Sequence, residues 1–572
     1  MRMSTRKRKS FLRSWLFGTL MLIMGAVAET TAASTPDAAS KAPVAAEEET
    51  GSARMIASLP VVASGGKASS TADHGKFKEL QRAFKSGPEV TQACLTCHNE
   101  AAHQVMQSVH WTWETVNPLI DKKLGKRHAA NNFCGSPLSN EPRCTSCHAG
   151  YGWQDKNYDF TNQNNVDCLA CHDTTATYKK FPTDAGHPLY EPRERVKGSG
   201  KFEQPPDLTR IAQAVGKSGR HNCGACHFNG GGGDAVKHGD LDSSLIAPSP
   251  GVDVHMSPQG GNLSCADCHT FNAHQPSGSR YAAMARDTRG RDMKHEDHIR
   301  ATCESCHDLQ PHKNERLNRH GKRIACQTCH IPEFARGGIA TKTLWDWSTA
   351  GKRDAEGKPL FIKDDHDRLI YSAEKGDFSY GENLRPTYKW YNGVVRQIVI
   401  DEKIGDKLDD RNILELNRVE GSARDPNARI WPFKVMVGKQ PYDPVNQTLV
   451  VNHVYGNDDT AFWGNYDYAK SIQAGMDYAG LPYSGKYDFI ETRMNWFITH
   501  MVTPKEQALQ CQDCHTRSAE GRLSEITDIY LPGRDRNHWL DLLGGAAVLA
   551  VIAASLLHGV VRILSRRREH DA

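Results

Sequence analysis

The sequence predicts a mainly α chain with much irregular structure, folded around covalently attached prosthetic groups and closed by one C-terminal transmembrane helix. Three observations predict it. Sixteen of the 17 cysteines fall in eight C-x-x-C pairs, and a histidine follows every pair. Only 38% of the 572 residues are hydrophobic and the mean hydropathy is −0.60, so something besides aliphatic side chains has to fill the interior. Residues 542–561 are a run of 20 without Asp, Glu, Lys or Arg, long enough to cross a bilayer.

The pairs are Cys94/Cys97, Cys144/Cys147, Cys168/Cys171, Cys223/Cys226, Cys265/Cys268, Cys303/Cys306, Cys326/Cys329 and Cys511/Cys514. The histidines that follow are His98, His148, His172, His227, His269, His307, His330 and His515. Zinc ribbons and disulfide frameworks require no histidine after each pair. C-x-x-C-H is the attachment signature of haem c, and its regular recurrence selects eight covalently bound haems (iron). The two thiols bond the porphyrin, and the histidine ligates the iron from one side. Cys134 is left over as an unpaired thiol.

Taken in order, the chain opens with a basic stretch, Arg6, Lys7, Arg8, Lys9 and Arg13, then an apolar run over 15–27 and the small-residue site Ala26-Val27-Ala28. Residues 1–28 therefore read as a signal peptide. Residues 29–73, rich in Ala, Ser and Glu, read as a disordered tether. The haem-bearing body is expected over 74–535. Phe77, Leu80 and Phe84 follow helical spacing, with Gly87-Pro88 expected to stop that helix. Seven motifs crowd between Cys94 and His330, and the gaps between them are short and rich in Gly, Pro and Asn. The haems themselves are expected to be the core there. Residues 331–510 hold no cysteine and are expected to form a packing layer, with strands at 394–400 and 448–454 and helices at 466–478 and 487–500. The span is placed at 540–564 and a cytoplasmic tail at 565–572. Arg562 and Arg566, Arg567 and Arg568 lie behind the span, which puts the body in the periplasm, outside a bacterial inner membrane. His558 lies inside the span. The net charge of +4 is spread along the chain, and nothing in it points to nucleic acid.

An iron held by one histidine needs a second axial ligand or leaves a place for substrate. The expected distal set is His110, His187, His238, His255, His312, His320 and His500, with His103, His274, His295, His298 and His453 as close competitors. His274 and His312 each follow a motif histidine by five residues. The stretch after the fourth motif is distinctive: residues 230–233 are four glycines, then come Asp234, Lys237 and His238. Glycines let backbone approach a flat cofactor closely.

The sequence resembles the octahaem tetrathionate reductase family of multihaem c-type cytochromes. The resemblance runs from Asp73 to about Arg517 and is carried by D-H-G-K-F-K-E-L from Asp73, N-N-F-C from Asn131, R-C-T-S-C-H-A-G-Y-G-W from Arg143, the stretch from Cys223 through Asp240 and on to Asp242, and T-H-M-V-T-P-K-E from Thr499. It implies a multihaem cytochrome c fold, with Lys237 as the distal ligand of the second haem and Asp234 and Cys134 beside it. On that reading Lys237, Asp234 and Cys134 are the catalytic residues. Lysine binds iron only as the neutral amine, and once displaced it can take up a proton. Cys134 near a cationic pocket is expected to have thiolate character.

Two functions remain open. The first is a periplasm-facing reductase of a small inorganic anion or nitrogen oxide: tetrathionate, nitrite or hydroxylamine. The second is a non-catalytic conduit of eight closed haems. A hydroxylamine oxidase would need a tyrosine cross-linked to the haem, and no motif singles out one of the 17 tyrosines. The anchor suggests electrons from the quinone pool through a membrane quinol dehydrogenase or cytochrome b partner.

Overall fold

The computed structural model describes residues 70–194, 200–291 and 300–570. The expected signal peptide, nearly all of the tether, and His295 and His298 lie outside the described residues.

The fold is mixed rather than mainly α. Short helices dominate the first half, among them α1 (Gly87–Leu95), α2 (Ala101–Met106), α3 (Leu208–Gln213) and α4 (Arg220–His227). Gly87-Pro88 begins a helix instead of ending one. Proline fits the first turn, where its missing N–H has no partner in any case, and the Ser86 hydroxyl accepts from the Glu89 N–H at 3.4 Å. Upstream, residues 74–80 form only two 3-10 turns, His74–Lys76 and Lys78–Leu80. The apolar clusters around α1 and α3 are small.

The second half is a nine-stranded sheet. Its strands are β1 (Thr341–Asp346), β2 (Phe361–Lys363), β3 (Leu369–Ser372), β4 (Gly376–Gly381), β5 (Thr387–Tyr391), β6 (Leu414–Glu415), β7 (Arg429–Asp443), β8 (Thr448–Leu449) and β9 (Asp488–Phe497). The order is β6-β9-β7-β1-β4-β3-β2, with β5 and β8 also on β7. Helix α5 (Tyr468–Ala479) buries Ile472 and Met476 in the sheet's core beside Trp345, Met436 and Met494. Each such side chain contributes about 1.5–3 kcal/mol by burial. The expected helix over 487–500 is strand β9. Ile490, Thr492, Met494 and Trp496 are all buried, a period of two that marks a strand. The expected strand at 394–400 is a short one, Val395–Gln397, and that at 448–454 shrinks to β8.

The antiparallel pair β7–β9 sets Lys434 directly opposite Trp496. Cross-strand partners share a face, and this pair reaches the segment after the fourth motif. The helix α6 (His538–His570) is 33 residues long, about 50 Å. It is the one helix among the described residues long and apolar enough to cross a membrane.

Candidate catalytic haem site

Each C-x-x-C sits on or beside a helical turn: Glu141–Cys144 with the 3-10 turn Thr145–Cys147, Leu169–His172, α4, Cys265–Cys268, Glu304–His307, Cys326–His330 and Cys511–Cys514, with Cys94 in the last turn of α1. Residues three apart share a helix face, so a turn of this kind offers two thiols on one side.

Helix α1 ends at Leu95, so Cys97 falls in the turn beyond it. The Cys97 N–H still reaches the Cys94 carbonyl at 3.1 Å, and its sulfur accepts from the Thr96 hydroxyl at 3.9 Å. Cys97 is nevertheless exposed, as are Cys171, Cys268, Cys306 and Cys511, whereas the other thiol of each of these pairs is half-buried.

Seven motif histidines face a second histidine. The ring centroids are 6.3 Å apart for His98–His74, 6.2 Å for His227–His110 and 6.4 Å for His172–His274. They are 5.8 Å apart for His307–His255, 6.2 Å for His269–His500, 5.8 Å for His330–His312 and 6.1 Å for His515–His320. Two metal–nitrogen bonds of about 2 Å plus about 1 Å to each ring centre make about 6 Å. The pairs are spaced for a metal between them. Hydrogen bonds at the other ring nitrogen orient them: His172 Nδ1 meets the Gly216 carbonyl at 2.8 Å, His269 Nδ1 that of Ser277 at 3.1 Å, and His515 Nδ1 that of Pro532 at 2.6 Å. Such contacts fix the tautomer that leaves Nε2 for a metal. His221, beside the fourth motif, buries both ring nitrogens without a partner, as a neighbour expecting the carboxylates of a porphyrin would.

Two of the expected distal histidines stand elsewhere. The His187 ring stacks on Tyr151 at 5.5 Å and bonds the Tyr190 hydroxyl at 2.8 Å. His238 packs edge-on against Trp496 at 5.0 Å. His74, absent from the expected set, and His274, a competitor, take the positions opposite His98 and His172. Of the other competitors, His103 meets Gln163 and His453 meets Ser139 and Asp458.

The second motif differs from the rest. His148 is 1% exposed and caged by Trp111, Trp113, Trp153 and Tyr158, at 5.0, 5.5, 4.9 and 5.7 Å. Its Nε2 is taken by the Trp111 carbonyl at 2.7 Å, while Nδ1 has no partner. This reverses the arrangement in His172, His269 and His515. Among the motif histidines His148 is thus set apart by which ring nitrogen meets backbone.

What comes to the second motif instead is Lys237. Its ammonium is near enough to the Cys147 thiol to be affected by it, and burial, then Arg280 and Lys126, hold its pKa well below the usual lysine range. It lies 5.1 Å from the centre of the Trp496 ring. Arg280 lies 4.9 Å from the same ring. Lys126 packs over Trp113 at 3.9 Å and donates to the Cys144 carbonyl at 3.0 Å. Gly231 and Gly232 have φ of +87° and +93°, and a Cβ at Gly230 would press on the Lys237 stem at 3.1 Å. The tetraglycine thus folds back on the lysine. The buried Lys434 ammonium donates to the carbonyls of Val236 and Lys237 and to the Thr341 hydroxyl, at 2.9, 3.3 and 2.6 Å.

Cys134 is held in a turn by the Asn131 side chain, which accepts its N–H at 2.8 Å, and its charge would be felt at the Cys144 thiol. Burial pushes the Cys134 thiol up, against the pull of Arg143, Lys375, Lys126 and Lys342. Both Asp234 oxygens are engaged by Ser243, one by its N–H at 3.0 Å and the other by its hydroxyl. Asp234 is thus a tether of the loop. Sequence reading missed His74, Arg280, Trp496, Lys434 and Glu141. His74 stood inside a quoted string; the others carry no local motif.

The thiols order the motifs in space. Thiols of different motifs lie side by side for Cys94 and Cys168, Cys147 and Cys226, Cys223 and Cys265, and Cys303 and Cys326. Electrostatic contact joins Cys171 to Cys223, Cys268 to Cys306, and Cys329 to Cys514. The second, fourth, fifth, sixth, seventh and eighth motifs form a row, with the third and first branching at the fourth.

The sequence model of the family described as bacterial cytochrome c matches residues 342–518. No curated protein gives a significant match. The crystal structure of octahaem cytochrome c from Shewanella oneidensis is 41% identical, covers 80% of this chain and 97% of its own, and superposes with a TM-score of 0.68. At that identity and coverage the repeated motifs and paired histidines are those of a cytochrome that binds haem c covalently, and the chain belongs to the octahaem tetrathionate reductase family of multihaem c-type cytochromes.

Proposed function

We propose that the protein is a membrane-anchored, periplasm-facing reductase carrying eight haems, which reduces a small oxidised sulfur or nitrogen species at the second motif. Tetrathionate is the substrate the family points to, with nitrite and hydroxylamine in the same chemical class. One observation carries the reading: seven motif histidines face a histidine at metal-wide spacing, whereas His148 faces none among the described residues and Lys237 lies near enough to the Cys147 thiol of its motif to be influenced by it. A row of closed pairs suits electron transfer, while a lone displaceable amine suits substrate exchange.

When bound, the haems supply the redox chemistry and carry the electrons. The chain's residues do the rest. Desolvation favours the neutral form of Lys237, the form that would hold a haem iron. Freed, its amine would take up a proton and act as a local cation and acid. Arg280 and Lys126 add positive charge that favours an anion. Cys134, whose thiol burial pushes up, would offer a thiol to the S–S bond of tetrathionate, which two electrons cleave to two thiosulfates.

Electron paramagnetic resonance of the oxidised full-length protein tests the reading. Seven bis-histidine signals and one distinct signal that moves on adding tetrathionate, nitrite or hydroxylamine are expected. Lys237→Ala alters that signal alone. Eight bis-histidine signals, unaltered in the variant, would overturn the proposal and leave a conduit.

A further inference from the structure

The eighth motif stands at the end of the row opposite the second, and it is joined rigidly to the apolar helix α6. The His515 Nδ1 bonds the Pro532 carbonyl. A Cβ at Gly533, whose φ is +87°, would strike the His515 carbonyl at 2.8 Å. Arg534 then knots the segment. Its guanidinium donates to the carbonyls of Leu523, Ile526 and Ile529 at 2.7, 2.5 and 2.7 Å and to both Asp535 oxygens at 2.7 Å. Asp535 in turn accepts the Leu531 N–H at 2.6 Å. Leu523, Ile526 and Leu531 are buried against Tyr388, Trp390 and Cys514, and the Trp390 N–H donates to Asp528 at 2.9 Å.

Only Arg536 and Asn537 separate this knot from α6, and the Asn537 side chain caps the helix by accepting from Trp539 and Leu540 at 3.1 and 3.2 Å. Five residues lie between Pro532 and His538, so even fully extended the six steps span at most about 22 Å. The exposed Cys511 and the accessible His515 and His320 therefore stay close to the point where the helix starts. A flexible tether would have needed neither the arginine knot nor the cap.

We propose that the segment 515–537 is a rigid mount that holds the eighth motif against a quinol-oxidising membrane partner, making that motif the port through which electrons enter. This rests on the anchored reductase reading above. Each quinol is oxidised to quinone by that partner, releasing two protons to solvent. Its two electrons enter one at a time at the eighth motif and pass along the row, enough for one S–S cleavage at the second.

The test uses the full chain in its native membranes, a short-chain quinol as donor, and total haem reduction followed by absorbance with no substrate present. A flexible Gly/Ser insertion between Asp535 and Arg536 replaces a fixed geometry by a dilute tethered one. It is expected to slow quinol-driven haem reduction by about tenfold or more, with dithionite-driven reduction unchanged. The same insertion at the open turn of Gly357 changes neither rate. Quinol-driven reduction at the wild-type rate in the first variant would overturn the mount, as would equal slowing by the control insertion. Because no substrate is added, these outcomes are separate from a failure of the assigned reaction. Wild-type haem that no quinol reduces would instead overturn the anchored reading itself.

Discussion

Lys434 and Trp496 stand opposite one another on β7 and β9, and both reach the loop that presents Lys237, one by hydrogen bonds to its backbone and one beneath its ammonium. The sheet thus backs the Lys237 loop as well as forming a packing layer. Lys434→Met keeps the volume but removes the donor from two buried carbonyls and the Thr341 hydroxyl. Unsatisfied buried groups cost about 1–3 kcal/mol each. The variant is expected to lose stability of that order in chemical denaturation. It is also expected to change the resonance of the lysine-bearing centre while the seven histidine pairs keep theirs. A change spread evenly over all the signals would mean that Lys434 supports the fold alone.

Arg280 shares the Trp496 ring with Lys237 and has no counterpart in any motif. Its charge is useful to an anion and of no use to neutral hydroxylamine. A charge-assisted hydrogen bond is worth about 1.5–3 kcal/mol. Arg280→Gln is therefore expected to raise KM for tetrathionate and nitrite by about tenfold or more while that for hydroxylamine stays put. Steady-state kinetics with all three substrates decides it, and a uniform fall in kcat would point to lost structure.

Glu141 opens the helical turn of the second motif, and burial pushes its carboxyl from 4.5 up to about 7, with the Tyr478 hydroxyl pulling the other way at 2.9 Å. A raised folded pKa means that the folded chain binds more protons than the unfolded one between these values. Stability from this group is complete below about 4.5 and is lost as pH rises through about 7. The shift corresponds to about 3 kcal/mol. Glu141→Gln is expected to remove that part of the slope in denaturation curves taken across this range. An identical slope in wild type and variant would show that the carboxyl is solvated.

Much of the site was legible because covalent attachment leaves a local signature. Eight C-x-x-C-H strings can be read without knowing the fold, and the glycine run before Lys237 marks a backbone that has to turn sharply. What the strings do not carry is the local backbone: nothing in them shows that Cys97 lies past the end of a helix while Cys147 closes a 3-10 turn. Distal histidines carry no signature either. Spacing cannot show that His274 crosses to His172 rather than serving its own motif, or that His74 in a 3-10 turn meets His98. The sheet was half-seen for a related reason. The alternation from Ile490 to Trp496 is a clear strand period, but it lies among aromatics that also satisfy a loose helical pattern. Lys434 and Arg280 act through tertiary contacts alone, which no local pattern announces.

His74 was absent from the expected distal set and His187 belonged to it, and the first motif tells them apart. His74 faces His98 with centroids 6.3 Å apart and planes 21° from parallel, whereas His187 is occupied by Tyr151 and Tyr190. If the first pair holds a metal, His74→Gly leaves it with one protein ligand. It is expected to gain a high-spin signal in magnetic resonance, to lose one bis-histidine signal, and to recover the original spectrum when imidazole is added. His187→Phe preserves the stack on Tyr151 and is expected to leave all bis-histidine signals in place. A spectrum that changed in His187→Phe and not in His74→Gly would reverse the assignment. The first motif would then depend on a histidine brought in by movement of the whole 181–190 loop.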